Sequence, residues 1–336
     1  MSYQIIIKPS GHTITAEADE VILDAALRQG LSIPYGCRNG ICGACKGKIV
    51  TGQVAYADGR PGALSLVEEA IGQTVCCQAR ACSDLVLEIH EVTSSQEVPI
   101  RKMPARVVKL ERLSVDVMRL YLKLPDSERM QFLAGQYIDI LLADGRRRSF
   151  SIANAPHDDQ FVELHIRLLE GGAFSGYVFN EMKEKDILRI EGPFGSFYLR
   201  EESPRPIICV AGGTGFAPIK GMIEHAIQGE LPQPIYFYWG VQAPADLYLN
   251  GLPTAWQRRD NFHYIPVLSG AKPEDQWRGR HGLVHQAVLS DFSDLSDYEL
   301  YASGPPAMVD AMRQGAVAHR LPNGQFHFDS FELAGN

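Results

Sequence analysis

Cys37-Arg38-Asn39-Gly40-Ile41-Cys42-Gly43-Ala44-Cys45 sets three cysteines in one short loop, separated by four residues and then by two. The whole chain has seven cysteines in 336 residues, and six of them lie between Cys37 and Cys82. The N-terminus, Met1-Ser2-Tyr3-Gln4-Ile5-Ile6-Ile7-Lys8, has no charged leader, long apolar core or small-residue cleavage site. The expected compartment is therefore a reducing cytosol, in which disulfides do not persist. Thiols crowded at ligand-like spacing in such a compartment argue for metal and against a disulfide framework.

Thiolates are soft anionic ligands, and a compact loop can wrap them around a metal centre. A structural zinc site usually joins two short C-x-x-C hooks, whereas this stretch has one. Four-then-two spacing with a distant fourth cysteine is the pattern of a [2Fe–2S] centre. Gly36, Gly40 and Gly43 let the backbone curl and turn its N–H groups towards the sulfurs, which tunes the potential. Cys76, Cys77 and Cys82 are the candidates for the fourth ligand. Neighbours on a strand face opposite ways, so Cys76 and Cys77 are not both ligands.

Working outward, residues 1–95 read as a small α+β unit. Ile5 and Ile7 alternate with polar residues, Gly11 turns the chain, and Asp19 or Glu20 opens a helix with an apolar face of Val21, Leu23, Ala26 and Leu27 that ends at Gly30. Residues 96–103 read as a linker. Short β-like runs at 106–110, 117–122, 137–142, 149–152, 163–168 and 187–191, separated by Gly, Pro and Asp turns, predict an antiparallel barrel over 104–202. From 203 to 336, strand-like runs at 207–210, 235–239, 263–268 and 298–302 alternate with helical stretches, which predicts a parallel α/β sheet. A net charge of −8 lacks the basic footprint of a nucleic-acid binder, and no apolar run is long enough for a membrane helix. His281 and His285 are four apart but without an H-E-x-x-H frame, and they are set aside as a loop near a helix start.

The α/β part carries Ile207-Ile208-Cys209-Val210-Ala211-Gly212-Gly213-Thr214-Gly215-Phe216-Ala217-Pro218, a buried strand, a glycine turn and a helix start. Glycines let backbone approach a pyrophosphate, the helix N-terminus favours its charge, and Pro218 suits a first helical turn. Arg146-Arg147-Arg148-Ser149-Phe150-Ser151 is a basic turn running into a strand. Gly171-Gly172-Ala173-Phe174-Ser175 opens a helix after His165-Ile166-Arg167-Leu168.

Together these phrases resemble the bacterial NADH-dependent ferredoxin–flavin reductases of the ferredoxin–NADP reductase superfamily, among them oxygenase reductase components and the CDP-6-deoxy-glucoseen reductases. The resemblance covers essentially the whole chain. It implies a β-grasp [2Fe–2S] ferredoxin, an antiparallel FAD-binding barrel and a parallel α/β NAD-binding domain. It makes Cys77, directly before Gln78, the fourth ligand beside Cys37, Cys42 and Cys45. It implies that Arg148, Ser149, Phe150 and Ser151 bind FAD, with Ser151 near the flavin N5, and that His165, Arg167, Gly172 and Ser175 belong to the second flavin element. It assigns Gly212, Gly213, Thr214, Gly215 and Pro218 to the nucleotide loop. Gly304 and Pro305 belong to a Ser303-Gly304-Pro305-Pro306-Ala307-Met308 element beside the nicotinamide, in which most relatives carry Cys where this chain has Ser303. Phe331 resembles the terminal aromatic that covers the flavin.

Gln242 replaces a common Arg and removes one positive charge near the cofactor; Gly270 stands where NADP-using relatives carry Arg, and Asp246 offers a ribose acceptor, two points that favour NADH over NADPH. The implied activity passes electrons from NADH through FAD and the cluster to a one-electron protein acceptor, an oxygenase or dehydrase component. A flavin or quinone reductase using small acceptors and a non-turnover redox sensor are the competing readings. The region 1–97 carries eleven Asp or Glu against seven Lys or Arg, a solvated face or a docking surface for a basic partner.

Overall fold

The computed structural model describes residues 2–89, 93–94, 98–125 and 130–331. Two compact units emerge, one of residues 1–99 with 195–197, the other of 100–194 with 198–336.

In the first unit, alternation in Ser2–Lys8 buries Ile5 and Ile7 on one face of a five-stranded sheet. The order is Thr13–Glu17, Ser2–Lys8, Leu85–Glu88, Lys46–Thr51, Gln73–Val75, with the second and third strands parallel and the other pairs antiparallel. The helix Ile22–Arg28 packs on it through Ile22, Leu23, Ala25 and Ala26. That face is shifted from the one expected, because Val21 is the extended N-cap residue and bridges to Arg80 instead of joining the helix. A short helix, Leu66–Ala70, buries no side chain and is held by a Ser65–Glu68 capping box. The linker expectation over 96–103 falls partly outside the described residues, and its last three positions are strand, since Arg101–Arg112 runs antiparallel to Ile187–Phe194 from Arg101 onward.

In the second unit, six antiparallel strands lie in the order Arg147–Ser151, Tyr137–Leu141, Ile187–Phe194, Arg101–Arg112, Val117–Lys123, Val162–Arg167. A bridge between Ile152 and Leu164 links the two end strands and closes the barrel. The parallel sheet has the order Arg280–His281, Phe262–Leu268, Ile235–Val241, Ile207–Gly212, Glu299–Gly304, Phe326–Ser330. Chain order reverses between Ile207–Gly212 and Glu299–Gly304, so the crevice where α/β sheets bind ligands lies between Gly212 and Gly304. Barrel and sheet form one unit because the helix Phe216–Gln228 lies against barrel backbone. A Cβ at Gly221 would stand 2.8 Å from the Asn154 carbonyl oxygen.

Candidate functional site

The cysteine loop is folded by backbone that ordinary side chains avoid: Arg38, Gly40 and Gly43 have φ of 59°, 78° and 74°. Gly40 is obligatory for a second reason, because a Cβ there would meet Gln78 Cγ at 2.8 Å. Gln78 also donates from Nε2 to the Arg38 carbonyl at 3.0 Å, tying the loop to the distant cysteine pair.

The sulfurs fall into two pairs. Cys37 N–H points at Cys42 Sγ and Cys42 N–H at Cys37 Sγ, each at 3.4 Å, and Cys77 N–H points at Cys45 Sγ at 3.4 Å. The Cys37 thiol is pulled down to about 6, first by the Cys42 thiol bonded to it and further by N–H groups of Cys42, Asn39 and Ile41. Cys77 is lowered mainly by its bond with Cys45, and Cys45 and Cys42 are pushed up as the proton-holding partners. A centre that takes two thiolates on each of two metals needs this two-plus-two arrangement. Among the described residues no three ligand-type side chains gather as a single-metal site requires. Cys76 and Cys77 lie in a turn that follows the strand Gln73–Val75, and Cys76 is fully buried, which pushes its thiol up to about 12. Cys82 is exposed and Cys209 is buried in the strand Ile207–Gly212.

In the barrel, Phe150 meets Phe174 with centroids 5.5 Å apart, setting the Arg148–Ser151 strand beside the start of the helix Ala173–Asn180. That helix begins at Gly172 with no side-chain cap, so its first-turn N–H groups have no such partner. Arg148 is half-buried and donates to the Arg147 carbonyl at 2.9 Å. Several expected side chains are engaged locally. Ser149 donates to Asp139 at 2.7 Å, and Ser175 accepts from Leu169 N–H at 3.1 Å. Arg167 pairs with Asp116 at 2.8 Å. His165 is the clearest case, because its side chain is wholly buried and both ring nitrogens are taken. They bond Glu163 at 2.8 Å and the Tyr248 hydroxyl at 2.9 Å. Burial keeps the imidazole neutral against the pull of Glu163, so it donates from Nε2 to Glu163 and accepts at Nδ1 from Tyr248.

At the crevice, glycine is needed for packing as much as for ligand approach. A Cβ at Gly215 would lie 2.0 Å from the Ser303 carbonyl oxygen, and one at Gly212 would meet Met308 Sδ at 2.7 Å and Pro305 Cδ at 2.8 Å. Gly213 adopts φ of 55°, and Trp239 donates from Nε1 to its carbonyl at 3.0 Å. Thr214 is buried in the same turn, and Pro218 lies in the first turn of Phe216–Gln228. Pro305 is the N-cap residue of Pro306–Ala318. Phe331 N–H donates to the Gly304 carbonyl at 2.9 Å, placing its backbone at the crevice.

Ser303 is fully buried, and its hydroxyl has no partner among the described residues. Its register partner is Asp329, and Ser151 donates to Asp329 Oδ2 at 2.8 Å. Ser151 is thus tied to the carboxylate of the strand neighbour of Ser303, while the Ser303 hydroxyl itself does not bond it. Asp329 has no role among the sequence-based expectations. Asp246 caps its own turn by accepting from Ala243 N–H at 2.9 Å, and exposed Gln242 lies beside Gly270, whose N–H bonds the Gln242 carbonyl.

Three family models match. They are described as a 2Fe-2S iron-sulfur cluster binding domain over residues 5–82, an oxidoreductase FAD-binding domain over 104–198 and an oxidoreductase NAD-binding domain over 209–314. The chain is 39% identical over 334 residues to the CDP-6-deoxy-L-threo-D-glycero-4-hexulose-3-dehydrase reductase of Yersinia pestis, spanning 98% of this chain and 99% of that protein. It is 36% identical over 334 residues to a terephthalate 1,2-dioxygenase reductase component of Comamonas, spanning 98% of each. Among solved structures, the Amycolatopsis cytochrome P450 reductase GcoB aligns over 98% of both chains with a TM-score of 0.81 and 30% identity. The two paired thiol sets, the uncapped helix beside the Phe150 strand and the unsatisfied hydroxyl in the crevice fit the three groups that these models describe. The chain belongs to the ferredoxin–NADP reductase superfamily, in the branch that carries a [2Fe–2S] domain ahead of its FAD- and NAD-binding domains.

Proposed function

We propose that this protein is an electron-transfer reductase that draws on NADH and delivers single electrons to a protein acceptor of the oxygenase or dehydrase kind. The observation that carries the reading is the bond from Ser151, at the end of the flavin strand, to Asp329, the register neighbour of Ser303 in the nucleotide-binding sheet. Held by these residues, FAD would supply two-electron acceptance with one-electron release, and a [2Fe–2S] cluster one-electron transfer.

The chain's own residues bind and orient. Cys37 with Cys42, and Cys45 with Cys77, hold the cluster, and the N–H groups aimed at them stabilise its negative charge. Arg148 and Arg167 supply positive charge, and the open helix start at Gly172 supplies N–H donors, for the FAD pyrophosphate. His165 enters this site through its main chain, its imidazole being committed elsewhere. Gly212–Gly215 and Pro218 form the nucleotide cradle, Gly304 and Pro305 shape its far wall, and Phe331 lines its edge. Asp329 accepts the Ser151 proton and so fixes where that hydroxyl's lone pairs point. The absence of a cation at Gln242 and Gly270 supports NADH over NADPH. Seven thiols free of disulfides suit a reducing cytoplasm.

The test is cytochrome c reduction by protein loaded with FAD and cluster, with NADH and NADPH in parallel. The expected result is rapid NADH-driven reduction that disappears when the cluster is removed. Holoprotein that reduces ferricyanide but not cytochrome c would instead be a reductase for small acceptors.

A further inference from the structure

Helix Phe216–Gln228 follows the nucleotide loop directly, and its inner face is apolar except for Lys220, which is only 5% exposed. A cation there needs partners, and the barrel provides them. Lys220 Nζ donates to the Ala153 carbonyl at 3.1 Å, to Glu163 Oε2 at 3.2 Å and to Glu224 Oε2 at 2.9 Å. The other Glu163 oxygen bonds His165, His165 bonds Tyr248, and Arg119 approaches the same carboxylate at 3.8 Å. Tyr248 meets Trp239 edge-on at 5.2 Å, and Trp239 stacks on Phe216 at 4.1 Å while holding the Gly213 carbonyl.

The network therefore has two ends with different cargo. One end is Ala153, two residues past Ser151, where the flavin strand ends. The other is Gly213 in the nucleotide loop. Gly221, the residue after Lys220, has no Cβ to keep the helix off the Ile152–Asn154 backbone. The Lys220 and Gly221 contacts hold the helix to the barrel and the Trp239 bond holds the nucleotide loop, so together they fix the distance between the two sites.

We propose that Lys220, Glu163, His165 and Tyr248 are positioning residues for hydride transfer, a buried clamp that sets the nucleotide loop at a fixed place relative to the flavin strand. This rests on the reading that the barrel holds FAD and the glycine loop holds NADH. A displacement of ~1 Å between reacting partners costs roughly a hundredfold in rate, so small slack in the clamp is read directly in the chemical step.

The test uses holoprotein and two substitutions, Lys220→Met and Tyr248→Phe. The first removes the ammonium and keeps the stem; the second removes one hydroxyl and keeps the ring. Anaerobic stopped-flow measures the flavin reduction rate at saturating NADH, the NADH dissociation constant, and the isotope effect with NADH deuterated at the transferred position. FAD content and the melting temperature are measured alongside. With FAD retained, Lys220→Met is expected to lower the saturated rate about 10- to 100-fold and Tyr248→Phe about 3- to 10-fold. The dissociation constant stays within about threefold and the isotope effect rises as the chemical step becomes limiting.

A lower melting temperature with an unchanged saturated rate and isotope effect would overturn the proposal, leaving the network a structural brace. If Lys220→Met fails to fold, Glu163→Gln combined with Lys220→Met removes both charges together, and this pair with Tyr248→Phe decides by the same criteria. Wild-type flavin that ignores NADH would count against the functional reading, a result separable from any effect of these variants.

Discussion

Gly215 tests whether the nucleotide crevice is built by close backbone packing. Its φ of −56° is helical, so alanine meets no conformational strain there and the effect is steric alone. The added Cβ would stand 2.0 Å from the Ser303 carbonyl oxygen, 2.4 Å from its carbon and 2.9 Å from Gly304 Cα. An ordinary carbon–oxygen contact is about 3.3 Å or more, so the loop must retreat by roughly 1.3 Å, and every atom in the way is backbone. Overpacking of this kind costs about 1–3 kcal/mol of stability, and a shift of ~1 Å at a reacting centre costs about a hundredfold in rate.

Gly215→Ala is therefore expected to keep FAD and cluster absorbance while flavin reduction at saturating NADH falls about 100-fold. Gly212→Ala is expected to lose less, about tenfold, because part of its obstruction is the flexible end of Met308. The assay is anaerobic stopped-flow at the flavin band. A Gly215→Ala protein that reduces its flavin within about threefold of wild type would refute the packing argument.

Three further outcomes follow from the same geometry. Cys77→Ser should abolish the cluster's visible absorbance and the reduced-state electron paramagnetic resonance signal while retaining FAD, whereas Cys76→Ala should keep both at about 1 kcal/mol of stability; the opposite pattern would reassign the ligand. Ser303→Ala removes a buried hydroxyl without a partner among the described residues, which costs about 1–3 kcal/mol where it stands, so the nucleotide-free melting temperature should rise while flavin reduction slows about tenfold; a fall in melting temperature with an unchanged rate would contradict this. Burial alone would raise the Glu163 carboxyl, but His165 and Lys220 outweigh it and hold it down to about 2 against an ordinary 4.5. Its stabilisation is thus complete above about pH 4.5 and is lost as pH falls towards 2, roughly 3 kcal/mol in all. Urea midpoints of wild type and Glu163→Gln between pH 6 and 3 should converge on acidification, and parallel curves would refute the assignment.

Chemistry written in local spacing was legible from the chain alone. Cys37–Cys45 and Gly212–Pro218 are contiguous, so their type and spacing carried both the ligand class and the strand–turn–helix context. The barrel runs were legible for the same reason: three fall within observed strands and three overrun the strand end by one residue. What escaped was non-local. Nothing beside Asp329 in sequence says that Ser151, 178 residues away, will donate to it. His165 reads as a flavin residue by its place in the strand, yet Tyr248 and Glu163 absorb both of its nitrogens. Gly215 looks like a glycine kept open for phosphate, and the structure adds a packing reason in the Ser303 carbonyl. One signal was present and unused: a lysine at 220 amid Phe216, Ala217, Ile219, Met222 and Ile223 is a charge on a core-facing turn, and such a charge implies a buried partner.

The central claim is an order of electron transfer: NADH reduces the flavin first, and the flavin then reduces the cluster. The most direct measurement is anaerobic mixing of the FAD- and cluster-loaded protein with one equivalent of NADH, followed at the flavin and cluster bands together. The account expects the flavin band to bleach first and the cluster band to follow, with Cys77→Ser showing the first phase alone. A flavin band that ignores NADH, or a cluster band that bleaches while the flavin stays oxidised, would contradict it.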